Sequence, residues 1–284
     1  MRFEHAQVYG FEGALRGMRN PLASWKRADS LYGLEKYDDM PEYEVAAAWV
    51  EATNPDLDKV DYKYEILQDK YAEWLRNNGI LKFNEPKNDY VEYAFIGPKD
   101  MDLAERLMKA GPEHRKFLRQ IQVSVDITAP LYWWKEFDTY KVGTTANSTS
   151  TMHKLASTPI TIDCFEIDDY EPYLVLAETD NTKYTVDGFV ATEGIDYTLI
   201  AFLEGLRQKY NETKDKRYWK ELVRWLPNGW LQTRTVTMNY ENLRTICHQR
   251  EGHKLTEWHQ FIQWVDHYLP YSGQFIFGKP VALD

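Results

Sequence analysis

The sequence predicts an α+β protein in which helices pack around a small, mainly antiparallel sheet. Segments such as 59–79 place apolar residues on one helical stripe, whereas segments 122–128 and 231–239 alternate apolar and polar residues as half-buried strands do. Both strands could therefore belong to one sheet. The 284 residues are 43% hydrophobic, which is enough for a sizeable core in one large domain or two small ones.

Helices are predicted where apolar periodicity is bounded by capping or breaking residues. The predicted helices are 42–52, 59–79, 99–111, 131–140, 194–210, 217–227, 240–250 and 253–269. Residues 112–120 should add another turn or two of helix, and residues 10–40 should form an irregular arm. Segment 160–190 has two alternating stretches that suggest a hairpin or a flap. Asn239 is expected to cap the helix that follows it, because its side chain can accept from the first free backbone N–H groups.

The charge balance argues against electrostatically driven binding of nucleic acid. The chain has a net charge of −10 and a pI of about 5.3, whereas counterion release from nucleic acid needs a positive field. A local basic pocket for one phosphate stays open. No stretch approaches the ~18 apolar residues of a membrane span, and the first residues are too charged for a signal peptide. We therefore expect a soluble, cytoplasmic protein.

The cysteines and histidines give no sign of a metal site. Cys164 and Cys247 lack metal-type spacing, and we interpret them as reduced core residues of an intracellular protein. Among the seven histidines, no pair has a metal-ligand spacing alongside acidic partners. No metal is therefore expected.

A dense run of hydroxyl and amide side chains follows an aromatic segment. Trp133 and Trp134 are expected to be core residues rather than stacking platforms. After Gly143, residues 144–151 contain almost only Ser, Thr and Asn. Such a run suits an exposed loop, or a pocket wall whose hydroxyl groups bind the phosphate or carbonyl oxygens of a ligand.

Arginines stand near the ends of predicted elements in the last third of the chain. They are Arg224, Arg244 and Arg250. A lone arginine on a helix usually faces solvent or forms an ion pair. Arg250, however, lies where its helix should end, so it could be held rigidly and present its planar fork to a phosphate or a pyrimidine edge.

The last third of the chain resembles the flavin-dependent thymidylate synthases. In LVRWLPNGWLQTRTVTMNYENLRTICHQR, a helix ends in a Leu-Pro pair, a strand leads to an asparagine, and a second helix ends in an arginine, as in that family. The resemblance implies that Asn239 and Thr245 contact flavin. It implies that Arg250 holds and orients the nucleotide base, so that it is a catalytic as well as a substrate-binding residue, and that Arg224 contacts the nucleotide.

The resemblance extends upstream through residues 100–154. His114 precedes the strand 122–128, as a histidine does in the family, and is implied to contact the cofactor. Glu136 lies near a conserved substrate-binding position. Asn147 and Ser150 match the Asn and the Ser of the family signature, and Ser150 is carried over as catalytic. The same alignment places Thr144 and Thr145 at the cofactor, and it places Lys141, Asn147 and Ser148 at the substrate.

The signature itself is altered. Tyr140, Lys141 and Val142 occupy the Arg-His-Arg positions, and Ser148 replaces an acidic residue. Losing two arginines removes two charge-assisted phosphate contacts of about 1.5–3 kcal/mol each, or roughly a hundredfold or more in affinity unless other residues compensate.

The resemblance leaves residues 1–98 largely unexplained, and we expect them to form an N-terminal helical extension. It implies a flavin-dependent thymidylate synthase-like domain (99–284) with an insertion near 155–195. It implies a homotetramer, with FAD as cofactor, dUMP or a related pyrimidine deoxynucleotide as substrate, and NADPH and methylenetetrahydrofolate as co-substrates. Two functions stay open. One is an active flavoenzyme that methylates dUMP, and the other is a non-catalytic nucleotide-binding or assembly protein that keeps the fold.

Overall fold

The computed structural model describes residues 1–81, 90–168, 185–186, 189–190 and 195–283. The described part is a mixture of helices and small antiparallel sheets, so the predicted α+β class is confirmed. No described helix is long and apolar enough to cross a membrane.

Helices form most of the described structure. They are α1 (Phe11–Met18), α2 (Glu42–Thr53), α3 (Tyr62–Gly79), α4 (Pro98–Lys109), α5 (Leu131–Phe137), α6 (Thr151–Ser157), α7 (Ile195–Thr213), α8 (Lys216–Trp225), α9 (Tyr240–Arg250), α10 (Thr256–Tyr268) and α11 (Ser272–Phe275). A 3-10 helix at Lys116–Gln120 replaces the turn or two of helix expected near it. Side-chain caps explain the starts of α3 and α8. Asp61 and Asp215 each accept a hydrogen bond from the backbone N–H two residues later.

The strands form three sheets. They are β1 (Arg2–Tyr9), β2 (Leu31–Lys36), β3 (Tyr90–Phe95), β4 (Gln122–Pro130), β5 (Thr145–Ser148), β6 (Thr185–Val186), β7 (Phe189–Val190) and β8 (Leu231–Asn239). The largest sheet has the order β1-β4-β8-β5, so the two predicted strands are neighbours, as expected. Strands β2 and β3 pair antiparallel from Leu31 opposite Phe95 to Lys36 opposite Tyr90.

Side-chain contacts give the direction of the β4–β8 pair. The hydroxyl groups of Thr128 and Thr233 lie 2.7 Å apart, and Thr235 donates to Asp126 at 2.5 Å. Residue numbers fall on one strand as they rise on the other, so the two strands are antiparallel.

The chain divides into two compact units. Unit 1 contains Met1–Arg2, Thr128–Thr139 and Asn147–Arg234, and unit 2 contains Phe3–Ile127, Tyr140–Ala146 and Thr235–Asp284. In unit 1, Trp133 and Trp134 are fully buried, which confirms that they are core residues.

Each unit has an apolar cluster of its own. In unit 1 it contains Leu155, Ile160, Leu203, Leu222 and Trp230. In unit 2 the side chains of α2, α3 and β3 form it, including Val45, Ala46, Tyr71, Leu75 and Phe95.

The expectation for residues 10–40 was wrong, because they contain α1 and β2 and are not an irregular arm. Residues 145–148, for which a loop and a pocket wall were both left open, form strand β5 at the edge of a sheet. In both places a sheet partner far along the chain supplies backbone hydrogen bonds that local propensity does not reveal.

The region 155–195 is described only in part. Strands β6 and β7 pair antiparallel, and both lie within the second of the two alternating stretches. Ile162–Cys164 is a 3-10 helix instead of part of an alternating strand. Residues 169–184, 187–188 and 191–194 of the expected insertion lie outside the described residues. The division of the chain at residue 98 and the insertion remain predictions.

Candidate functional site

Helix α9 begins with a reciprocal cap that uses two asparagines. The Asn239 side chain accepts from the backbone N–H of Asn242 at 2.9 Å, and the Asn242 side chain accepts from the backbone N–H of Asn239 at 3.4 Å. The predicted cap is therefore confirmed. Asn239 is only 8% exposed, and its side-chain oxygen forms the cap inside the protein.

The segment around Gly143 packs directly on this cap. Asn242 Nδ2 donates to the Val142 carbonyl at 2.6 Å. Gly143 has a φ of +74°, and a Cβ at this position would lie 2.7 Å from Asn242 Oδ1 and 2.9 Å from Asn239 Nδ2. Only glycine satisfies both the left-handed backbone and the close approach.

At the other end of α9, aromatic rings hold Arg250. Its Nε donates to the Tyr140 hydroxyl at 2.9 Å, and its guanidinium carbon lies 4.7 Å from the Trp258 ring centroid. The Tyr140 and Trp258 rings meet edge to face with centroids 6.2 Å apart. Stacking of this kind stabilises the guanidinium and restricts its orientation, as the sequence led us to expect for Arg250.

The turn that carries His114 is attached to the first turn of α9. Its neighbour Arg115 forms an ion pair with Glu241, with 2.9 Å between Nε and Oε2, and both side chains are mostly buried. His114 itself is exposed. Thr245, one turn further along α9, is exposed and donates its hydroxyl proton to the Glu241 carbonyl at 3.0 Å.

All five residues implied to contact the cofactor lie in unit 2. They are His114, Thr144, Thr145, Asn239 and Thr245. The contacts of Arg115 and Gly143 tie the segments that carry them to the N-terminal half of α9. The Thr144 Oγ1 atom is buried and has no hydrogen-bond partner within the described structure.

These residues fit the polar part of a flavin nucleotide. Hydroxyl groups and an imidazole donate to and accept from ribityl, phosphate or carbonyl oxygens, and the unsatisfied Thr144 hydroxyl needs such a partner. The Asn239 oxygen caps α9, and a contact between Asn239 and flavin remains a prediction.

The residues implied to bind the substrate divide between the units. Lys141, which is exposed, and Arg250 lie in unit 2. Glu136, Asn147, Ser148, Ser150 and Arg224 lie in unit 1. A nucleotide site that joins Asn147–Ser150 to Arg250 therefore remains a prediction.

In unit 1 the hydroxyl run is exposed but firmly attached. The Thr149 N–H donates to the Thr233 carbonyl at 2.9 Å. Gln232 Nε2 donates to the Thr149 carbonyl at 3.0 Å and to Thr151 Oγ1 at 3.1 Å. Residues 145–150 are all exposed, so their side chains are accessible to a ligand.

Two further predicted residues occupy ordinary helical positions. Arg224 is 52% exposed and pairs with Glu221 three residues before it. Glu136 is half-buried on α5, and its backbone carbonyl accepts from the Thr139 hydroxyl at 2.7 Å. For Arg224 this is the usual arrangement of a lone helical arginine, and its role at the nucleotide remains a prediction.

Arg234 is a mostly buried cation that the sequence did not single out. Its guanidinium carbon lies 4.2 Å from the Trp134 ring centroid, and its Nη1 bonds to Asp138 at 2.6 Å. The signal in the sequence was an arginine inside an alternating strand, at a position where an unpaired charge would be costly.

Cys247 is not available as a nucleophile. It is 2% exposed on α9, and burial raises the pKa of its thiol to about 12. The thiol is therefore protonated at neutral pH and inert. Within the described ranges, no group of three or more His, Cys, Asp or Glu side chains is arranged to hold a metal ion.

Comparison with known proteins gave only remote similarity. No family model matches the chain, and no curated protein matches it. Two crystal structures of the flavin-dependent thymidylate synthase ThyX from Helicobacter pylori, each with FAD and dUMP, are similar to it in structure. Each is 14% identical, with a TM-score of 0.44, and the match covers 88% of this chain and 97% of the ThyX chain.

Proposed function

We propose that this protein is a flavin-dependent enzyme that methylates a pyrimidine deoxynucleotide, with dUMP as the substrate. The sequence resemblance over residues 100–250 supports the proposal. The observation that carries it is the way Tyr140 and Trp258 hold Arg250 at the end of α9.

Arg250 has the properties of a base-orienting residue. A guanidinium presents a rigid fork of donors to a carbonyl or phosphate oxygen, and an aromatic face removes most of its rotational freedom. Its half-buried position also strengthens a contact to a ligand, because the local dielectric constant is lower than in water.

The other residues would share the binding of nucleotide and cofactor. Lys141 supplies the one positive charge left in the altered signature, and Asn147, Ser148 and Ser150 would bind phosphate and ribose oxygens. Thr144, Thr145, Thr245 and His114 would hold FAD, which supplies the hydride when bound. In this proposal Ser150 positions substrate rather than attacking it, methylenetetrahydrofolate supplies the carbon, and NADPH is the reductant.

The protein would be a homotetramer whose nucleotide sites lie between subunits, as the resemblance implies. The proposal assigns Arg224 and Glu136 to the same site. Proximity and orientation, rather than a side-chain nucleophile, would then provide most of the catalysis.

A second function has its own support. Tyr140 and Val142 replace two arginines of the signature, and Asn239 is committed to the cap of α9. Both features favour a non-catalytic nucleotide-binding or assembly protein, since they reduce the contacts available to phosphate and flavin.

The first test measures cofactor and nucleotide binding by the full chain. FAD binding is followed by flavin absorbance after desalting, and dUMP binding by calorimetry. Arg250→Ala should weaken dUMP binding about 10- to 100-fold, the loss expected for one charge-assisted contact of ~1.5–3 kcal/mol. Arg217→Ala is the matched control, because Arg217 is 89% exposed and, among the described residues, pairs only with Asp215.

Product formation separates the two functions. With FAD, NADPH and methylenetetrahydrofolate present, the enzyme should convert dUMP to dTMP, which is detected by mass spectrometry. A protein that binds dUMP but retains no flavin and forms no dTMP has the second function. Unchanged dUMP affinity in Arg250→Ala would remove Arg250 from the site.

A further inference from the structure

A basic cavity of the described structure lies outside the residues of the proposed flavin and dUMP site. A cavity of about 890 Å³ in unit 2 is bordered by residues 22–27 on one side and by the first turns of α4 on the other. A volume of this size is typical of a small-molecule site.

Cations dominate the lining of this cavity. Lys26, Arg27 and Lys99 are exposed, and none of them forms an ion pair with a described residue. Two more cations line the cavity: Arg106 is paired with Asp102 at 2.8 Å, and Arg19 is buried. In a chain with a net charge of −10, this local excess of positive charge will attract an anion.

A buried network holds the cationic loop in place. Arg19 pairs with Asp100 at 2.6 Å, and both side chains are almost completely buried. The same carboxylate accepts from the Ser30 hydroxyl at 2.7 Å. Asp29 accepts from the backbone N–H groups of Lys99 and Asp100, which caps α4. The loop is therefore attached at both ends to the helix that carries Lys99.

An aromatic ring also borders the cavity. Trp25 is 50% exposed, and its Nε1 donates to Asn20 Oδ1 at 2.8 Å, which fixes the edge of the indole. Leu22, Ala52 and Pro98 complete an apolar border. An exposed indole beside three cations is suited to a ligand with both a planar ring and phosphate groups, because the ring can stack while the cations bind the phosphates.

We infer that this cavity, the α4 cavity, binds a small phosphorylated molecule with a planar ring, of the nucleoside diphosphate class. Lys26, Arg27 and Lys99 contact the phosphates, and Trp25 stacks on the ring. The inference does not depend on the proposed function, since the α4 cavity contains no residue of the proposed flavin and dUMP site.

Calorimetry with ADP, pyrophosphate and adenosine tests the inference on the full chain. ADP should bind more tightly than pyrophosphate, and adenosine should bind most weakly. Removing both charges in Lys26→Ala/Arg27→Ala should weaken ADP and pyrophosphate at least ~10-fold, as expected for the loss of charge-assisted contacts. Trp25→Ala should weaken ADP several-fold and leave pyrophosphate unchanged, because only ADP carries a ring.

Two controls make the result decisive. Lys36→Ala/Lys63→Ala removes the same charge from exposed positions of unit 2 outside the cavity, and it should bind ADP as the unmodified protein does. Arg250→Ala should also bind ADP normally. No saturable binding of ADP, or equal binding by Lys26→Ala/Arg27→Ala, would overturn the inference. So would ADP binding that is lost in Arg250→Ala, since the ligand would then occupy the other site.

Discussion

The hydroxyl group of Tyr140 accepts a hydrogen bond from Nε of Arg250 at 2.9 Å, across 110 positions of sequence. The resemblance places Tyr140 at the first position of the altered Arg-His-Arg signature. A tyrosine found where the resemblance implies a phosphate-binding arginine therefore holds the arginine that we propose orients the base. Compared with the signature, the tyrosine removes one positive charge, and its hydroxyl restricts the orientation of a second one, the Arg250 guanidinium.

Replacing Tyr140 tests this relationship. Tyr140→Phe keeps the ring but removes the hydroxyl, so the free energy of unfolding should fall by about 1 kcal/mol, the usual net value of a hydrogen bond. The affinity for dUMP should fall several-fold, because Arg250 is then less restricted. Urea denaturation and calorimetry measure the two effects. Tyr62→Phe, at a position that is 74% exposed, should change neither. An unchanged dUMP affinity in Tyr140→Phe would mean that the hydroxyl does not position Arg250.

Gly143 should resist substitution more than another glycine with positive φ. Gly143→Ala adds both a strained backbone and a clash with Asn242 and Asn239, and we expect a loss of about 2–4 kcal/mol in the free energy of unfolding. Gly111 has a φ of +106° but has no atom within 4 Å of an added Cβ. Gly111→Ala therefore reports strain alone and should cost ~1 kcal/mol. If urea denaturation gave equal losses for Gly143→Ala and Gly111→Ala, the close approach of Gly143 to the α9 cap would contribute nothing to stability.

Asp100 and Asp102 lie two residues apart on α4, but their contributions to stability should differ widely. Asp100 is 1% exposed and binds Arg19 and Ser30, so Asp100→Asn leaves a buried cation poorly compensated. We expect a loss of about 3–5 kcal/mol in the free energy of unfolding. Asp102→Asn breaks an exposed pair with Arg106 and should cost ~0–1 kcal/mol. The comparison uses thermal and urea denaturation, and similar values for both variants would contradict it.

Glu204 should make the stability depend on acid pH. Hydrogen bonds from the Arg207 guanidinium, together with the Ile160 N–H, hold the pKa of this carboxyl at about 2, below its usual 4.5. A depressed folded-state pKa stabilises the protein above the unfolded-state pKa. This contribution should therefore disappear as the pH falls from ~5 toward ~2.

The variant Glu204→Gln checks the sign of this effect. It should be less stable than the unmodified protein at pH 7, and its free energy of unfolding should decline less between pH 5 and pH 2. Glu212→Gln alters an exposed pair with Lys209 on the same helix and should follow the unmodified protein. A Glu204→Gln curve parallel to the unmodified one over this range would refute the prediction.

The sequence predicted local structure best where one segment contains its own signals. Helix α9 starts after Asn239 and ends at Arg250, and strand β8 covers the predicted 231–239. Apolar periodicity and caps act over a few residues, so they are readable without the fold. Strands β1, β2 and β3 were missed, because their segments lack the regular apolar–polar alternation of 122–128 and 231–239.

The candidate site was less predictable than the elements that carry it. The position of Arg250 at a helix end followed from the pattern, but its contacts with Tyr140 and Trp258 did not. Asn239 was expected both to cap α9 and to contact flavin, and the structure confirms the cap. The sequence predicted neither the buried contacts between Arg19 and Asp100 nor the α4 cavity. Along the chain these charged residues look solvent-exposed, and they become neighbours only after folding.

The amino-acid order alone therefore determined the class, the main helices, the β4 and β8 strands and the cap of α9, since these depend on spacing within a few turns. The tertiary structure decided which residues face Arg250, which carboxylate Arg19 requires and where three unpaired cations gather. Such contacts join positions tens to more than a hundred residues apart. Their free energy depends on burial and distance, which no local pattern encodes.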